Sequence, residues 1–267
     1  IVVTSIKLLY ICHMNMNIKI WEGPVYLEPI EHVYIHRDTG ANYKSVTTVL
    51  GMVEPHFDTQ GVAEAIYRQK DKVKNPKYVG MNVDQILDCW QELNDTANEY
   101  GTHVHETIET YLLKHQLWYP EDELQKKVIA SYESLGVDEG IMMYPERIMF
   151  AEEYNLAGTA DLVIDIDDTF FDIGDWKTNK AFNFWNQYGF ETLLKPFDHL
   201  QNCQWSIYTL QLSTYAYMYE LETGRKCRHI WIGYWEKEKE TMRKIPIMYL
   251  KTEAKKLLEM YKYKTML

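Results

Sequence analysis

The sequence predicts an α/β fold, a central mixed β-sheet with helices packed on it, in a single domain. Three observations predict it. Runs with strand character occur at 145–153, 160–167, 169–178 and 228–236. Helical patterns at 83–115, 121–135 and 204–221 alternate with them. No internal repeat or low-complexity linker divides the 267 residues, a length that can bury a full core.

The elements follow in chain order. The opening stretch IVVTSIKLLYIC is apolar but lacks the basic front and small-residue cleavage site of a signal peptide. Residues 1–16 are therefore expected to be an extension, with the domain at 17–267. No run of 18 apolar residues occurs, so no membrane span and a cytoplasmic setting are expected. IKIWEG, VYLEP and HVYIH read as short strands separated by Gly and Pro. Ser45 or Thr47 caps a short helix that stops at Gly51. Residues 60–73 are helical in pattern. In 83–115, Val104, Ile108, Tyr111 and Leu112 fall on one apolar face. Residues 179–203 are irregular and aromatic, and a basic helix at 251–264 closes the chain. The tyrosines at 208, 215, 217 and 219 have the spacing of core residues.

Composition narrows the function classes. A formal net charge of -11 argues against a surface that grips nucleic acid everywhere by positive charge. It leaves room for local basic patches, of which Lys70, Lys72, Lys74 and Lys77 form one and the lysines of 251–264 another, although a solvated helix face is the default account of both. Cys12, Cys89, Cys203 and Cys227 show no C-x-x-C spacing, so neither a zinc knuckle nor a disulfide framework is expected.

The stretch 158–178 carries the chemistry. Asp165-Ile-Asp-Asp168 reads as a turn between two strands, and Asp161 follows a Gly-Thr-Ala turn at a strand start. A hairpin centred near Asp167–Asp168 places Asp161 across from about Gly174, beside Asp175. Strand alternation puts Asp175 and Lys177 on one face. Two carboxylates and an ammonium then meet among Phe170, Phe171, Ile173 and Trp176, where charge needs partners or a metal. A carboxylate-held divalent cation with a nearby lysine suits phosphodiester hydrolysis, because it activates water and offsets charge on the phosphate. Oxygen-rich ligands suit Mg²⁺ or Mn²⁺, and one imidazole suits Mn²⁺.

Gly158-Thr-Ala-Asp161 followed by Asp175-Trp-Lys177-Thr resembles the PD-(D/E)XK nuclease superfamily in its RecB-like exonuclease branch. Gly101-Thr-His-Val-His105 is similar to that branch's upstream helix, Gln211-Leu-Ser-Thr-Tyr215 to its Q-x-x-x-Y helix, and Ser45-Val-Thr-Thr-Val-Leu to an element of mitochondrial genome maintenance exonucleases and related phage proteins. The resemblance runs from about residue 30 to 236, with the motifs in family order. It implies a restriction-endonuclease-like core. It implies that His105, Asp161, Asp175 and the backbone carbonyl of Trp176 bind the metal and that Lys177 orients the attacking water. Gln211 and Tyr215 would brace the site or touch the DNA backbone, and Glu146 or Glu152 would add a carboxylate. The family spacing selects His105 over His103, and Glu109, one turn on, is a candidate to orient its ring. Ser45 and Thr47 are candidates for contact with a DNA end or strand, although helix capping accounts for the same residues.

The scattered cysteines do not match the iron–sulfur cluster of some relatives, and none is expected. No G-x-x-x-x-G-K-[ST] motif occurs, so a stand-alone nuclease is expected. Phe182, Phe184, Trp185, Tyr188 and Phe190 could stack on single-stranded bases or pack on the domain. The expected activity is a Mg²⁺/Mn²⁺-dependent DNA exonuclease of phage or bacterial recombination, repair or processing. Its expected partners are single-stranded or end-bearing DNA and phage or host recombination proteins. An endonuclease of the same fold, a non-catalytic nucleic-acid-binding module and a different carboxylate–histidine metal enzyme are the alternatives.

Overall fold

Among the described residues, eight strands form one mixed sheet. The computed structural model describes residues 18–69, 75–114, 118–137, 140–186 and 190–266. Strands β1 (Val25–Glu28), β2 (Val33–His36) and β3 (Asn42–Ser45) run antiparallel to one another at one edge. Strands β4 (Met142–Ala151), β5 (Leu156–Asp165) and β6 (Phe170–Lys177) form an antiparallel meander. Strand β7 (Lys226–Glu236) lies parallel to β6, and β8 (Thr241–Ile247) returns antiparallel to β7.

The position of β5 matters most. One of its edges is taken by β4 from Leu156 to Asp165. Its other edge is shared. Strand β3 pairs in parallel with Leu156 and Ala157, and β6 pairs with Leu162 to Asp165. Gly158–Asp161 lie between these two ladders, so the sheet is split beside Asp161.

Helices cover both faces. On one side, α1 (Val46–Gly51), α5 (Gln204–Thr223) and α6 (Lys251–Met266) pack on a core containing Leu156, Val163, Phe171, Ile173 and Ile232. On the other, α3 (Val83–Lys114) and α4 (Glu123–Ser134) cover Leu162, Ile164, Trp176, Trp231 and Trp235. Helix α2 (Thr59–Arg68) packs on α3. This is the expected fold class, a central mixed sheet flanked by helices. Among the described residues, no helix is long and apolar enough to cross a membrane.

Several local expectations need correction. Of IKIWEG only Ile18 pairs, through an isolated bridge to Met143. Strands β3 and β8 were not foreseen, and β4 starts three residues before the expected run. The hairpin register is one residue from that expected, because Leu162 rather than Asp161 faces Gly174. Asp165 closes β5 rather than entering the turn, where the Phe170 carbonyl accepts the amides of Ile166 and Asp167 and Asp167 Oδ1 accepts those of Thr169 and Phe170. The expected extension at 1–16 and Lys70, Lys72, Lys74 and Tyr188 lie outside the described residues.

Candidate active site

Gly158-Thr-Ala is not a turn. It lies in the middle of β5, and its glycine answers a packing demand. A Cβ on Gly158 would stand 2.4 Å from Cε1 of Tyr215, so only glycine lets α5 approach the strand this closely. Tyr215 is buried there, and Nε2 of Gln211 donates to its hydroxyl at 3.1 Å. The Q-x-x-x-Y pair thus seats α5 on β5.

The β4–β5 ladder carries an irregularity at the site. Pro145 faces Leu162 and Arg147 faces Ala160, which sets Glu146 against Asp161. Glu146 has a left-handed backbone, φ 47°, which is costly for a non-glycine residue inside a strand. Face alternation shifts here: Leu156 and Ala160 before Asp161, and Val163 after it, all enter the same core layer. A strict period of two would send Ala160 and Val163 to opposite faces.

At this break the expected residues converge. Asp161 Oδ2 accepts the backbone N–H of Trp176 at 2.6 Å and lies 3.3 Å from Nδ1 of His105, which projects from α3. Asp175 is buried, and its Oδ2 is in direct ion-pair contact with the Lys177 ammonium. The Lys177 ammonium also stands 4.8 Å from the ring centre of Tyr208 on α5. Four segments therefore meet: α3, the β4–β5 irregularity, β6 and α5.

Their electrostatics are coupled by desolvation. Burial pushes the Glu146 carboxyl up, and the charges of Asp161 and Glu109 push it further, to about 8. Burial and the Asp161 charge raise Asp175 to about 6, against the pull of Lys177. Burial alone would depress His105, but the Asp161 carboxylate overrides it and raises the imidazole to about 9. For Asp161 itself burial works upward, yet His105, Lys177 and the Trp176 amide hold its carboxyl below the usual range. For Lys177 burial works downward, but the two aspartates keep the ammonium charged well above its ordinary value. The site is a desolvated cluster of acids with two cations among them.

The remaining expected residues divide cleanly. Ser45 caps α1, accepting the Thr48 amide at 3.1 Å, and its hydroxyl lies 2.9 Å from that of Thr47. Both act within the helix start, which is the capping alternative. His103 pairs with Asp122 at 3.0 Å and stands apart from the cluster. The imidazole of His105 takes Asp161 as its partner; Glu109 reaches the cluster through charge, raised by burial, Glu106 and Asp161. Of the two second carboxylates, Glu146 belongs to the site, whereas Glu152 lies in a one-turn helix beyond β4. Phe182 packs on Tyr208 and Tyr234, while Phe184, Trp185 and Phe190 are exposed. The Trp176 side chain is buried between Tyr132 and Trp231.

Tyr208 packs against the core as its spacing suggests, but it is only half-buried and its ring faces Lys177. Its place one turn before Gln211 on the same helix was the available signal. Among the described residues, no three His, Cys, Asp or Glu side chains converge closely enough to ligate one ion in this arrangement.

No family model matches the chain. No curated protein matches it either. Among solved structures it is similar to the crystal structure of a protein from Eubacterium rectale named Putative exonuclease. The TM-score is 0.35 at 14% identity, and the match covers 62% of this chain and 64% of that one. The chain thus spans less than two thirds of that protein's length.

Proposed function

We propose that this chain is a metal-dependent nuclease that hydrolyses phosphodiester bonds of DNA from an end. The observation that carries the reading is the meeting of His105, Asp161, Asp175 and Lys177 in one desolvated cluster. A strained Glu146 backbone at the same point supports it, since strain of this kind persists where the surrounding structure enforces it and concentrates at working sites.

The chemistry of the donors suits a hard divalent cation, although in the arrangement described no three of them converge on one ion. Burial and the facing acids disfavour charge on Glu146 and Asp175 and raise both carboxyls, and a cation among them would relieve that cost. Asp161, Asp175 and His105 would hold Mg²⁺ or Mn²⁺, with the Trp176 carbonyl as a further donor, once the contacts Asp175 makes to Lys177 and Asp161 makes to His105 are exchanged. The bound ion supplies Lewis acidity and a more acidic water. The chain's own residues do the rest. Lys177, charged and fixed in position, orients the attacking water and offsets charge gathering on the phosphate oxygens. The Trp176 amide holds Asp161 in place, and α5 braces the strand beneath it.

Digestion of linear and covalently closed circular DNA with Mn²⁺ tests the reading. Loss of the linear form with the circles intact is the expected result. Rapid loss of circles would move the assignment to an endonuclease, and no cleavage of either would favour a binding module.

A further inference from the structure

We propose that Tyr208 is a positioning residue for Lys177, acting through its ring face and through a clamp on the chain that leaves β6. The inference rests on the nuclease reading for its catalytic readout and on geometry alone for its second.

Lys177 is the last residue of β6, where ladder constraints end. A lysine side chain at a strand end has four rotatable bonds and can reach many places. Two contacts restrict it here. Its ammonium pairs with the Asp175 carboxylate from one side, and the Tyr208 ring lies 4.8 Å away on another. An ammonium over an aromatic face is attracted by the ring's electron density, most strongly out of water. The ring adds no proton acceptor that could take the lysine's charge.

The ring is itself held. Nδ2 of Asn179 donates to the Tyr208 hydroxyl at 2.7 Å, and that hydroxyl donates to Oδ1 of the same amide at 3.0 Å. The backbone carbonyl of Asn179 accepts the Tyr234 hydroxyl at 2.9 Å. Asn179 follows Lys177 by two residues, so α5 and β7 grip the chain just past the lysine. Phe182 backs the arrangement, its ring 6.0 Å from Tyr208 and 5.4 Å from Tyr234. The helix therefore fixes both the ammonium and the backbone that carries it.

Three variants separate ring from clamp: Tyr208→Phe, Tyr208→Leu and Asn179→Ala. On end-labelled linear DNA with Mn²⁺, Tyr208→Leu is expected to lose about 10- to 100-fold in kcat with KM little changed, as misplacement of a catalytic group does. Tyr208→Phe, which keeps the ring, is expected to recover most of that loss, with Asn179→Ala between them. The second readout needs no activity: acylation of Lys177 by an amine-reactive ester, followed by mass spectrometry. Lys177 is expected to label several-fold faster in Tyr208→Leu than in wild type or Tyr208→Phe. Equal labelling in all folded variants overturns the proposal even if wild type cleaves nothing. Equal kcat in an active Tyr208→Leu overturns it as well. Absence of cleavage by wild type, with the labelling difference present, counts against the nuclease reading and leaves the positioning role standing.

Discussion

Glu146 shows in one residue what the site costs. Its backbone is left-handed inside a strand, and its carboxyl is buried against Asp161 and Glu109. Its folded pKa of about 8 exceeds the ordinary 4.5, so the folded state holds the proton longer than the unfolded chain does. Stability from this group is present below pH 4.5 and is lost as pH rises to about 8. Glu146→Gln keeps the shape and removes the titration. In metal-free protein it should leave the melting temperature at pH 5 nearly unchanged and raise stability at pH 9 by about 1–2 kcal/mol. Thermal melts at the two pH values check this; equal effects at both would show that the charge on Glu146 is not the source of strain. Such a position is illegible in sequence, because nothing in Pro145-Glu146-Arg147 announces a positive φ at a residue that is neither Gly nor Asn.

Among the elements, those built on one strong periodicity were legible. Helix α3 follows the apolar face of Val104, Ile108, Tyr111 and Leu112, and these four are buried as its spacing requires. The β5–β6 hairpin follows from the acidic turn read at Asp165–Asp168, one residue early, and the apolar runs beside it. Strand β3 was missed because Asn42–Ser45 holds one apolar residue among three polar ones, and β8 because Thr241–Ile247 mixes Arg, Lys and Pro with its apolar residues and shows no clean alternation. The Gly158 turn reading failed because a glycine within a strand can mark close approach by another element as well as a bend, and only the position of Tyr215 decides between them. Within the site, alternation alone paired Asp175 with Lys177, and the family resemblance supplied His105. Tyr208 escaped because helical spacing reports which face a residue occupies and not what stands opposite. At this scale Ser45 gives a direct prediction. Its hydroxyl satisfies the Thr48 amide at the start of α1, so Ser45→Ala should cost about 1 kcal/mol of stability. DNA cleavage should keep its KM within twofold. A large rise in KM at unchanged stability would assign Ser45 to substrate contact instead.

Over the whole molecule, the split sheet is the feature that makes a site possible. Strands β3 and β6 share one edge of β5 and leave Gly158–Asp161 between them, while helices close both faces around that gap. The acids gathered there tilt the stability of the metal-free protein. Asp175 is raised from 3.8 to about 6, Glu146 from 4.5 to about 8 and His105 from 6.5 to about 9. Each makes the folded state bind more protons than the unfolded one, so stability should fall as pH rises through these ranges. Asp161 is lowered and works the other way, but only as pH falls below its ordinary 3.8. Mn²⁺ should therefore raise the melting temperature more at pH 8 than at pH 5, since protons compete for its ligands at the lower pH. An equal rise at both values would place the metal elsewhere.

The nuclease assignment turns on Asp175, the buried carboxylate between Asp161 and Lys177. The most direct test is single-turnover cleavage of end-labelled linear DNA with Mn²⁺ by wild type and Asp175→Asn, with folding of both confirmed by circular dichroism. Metal-dependent cleavage by wild type, slowed on the order of a thousandfold or more in the variant, is the expected result. Cleavage by Asp175→Asn at the wild-type rate would contradict the assignment.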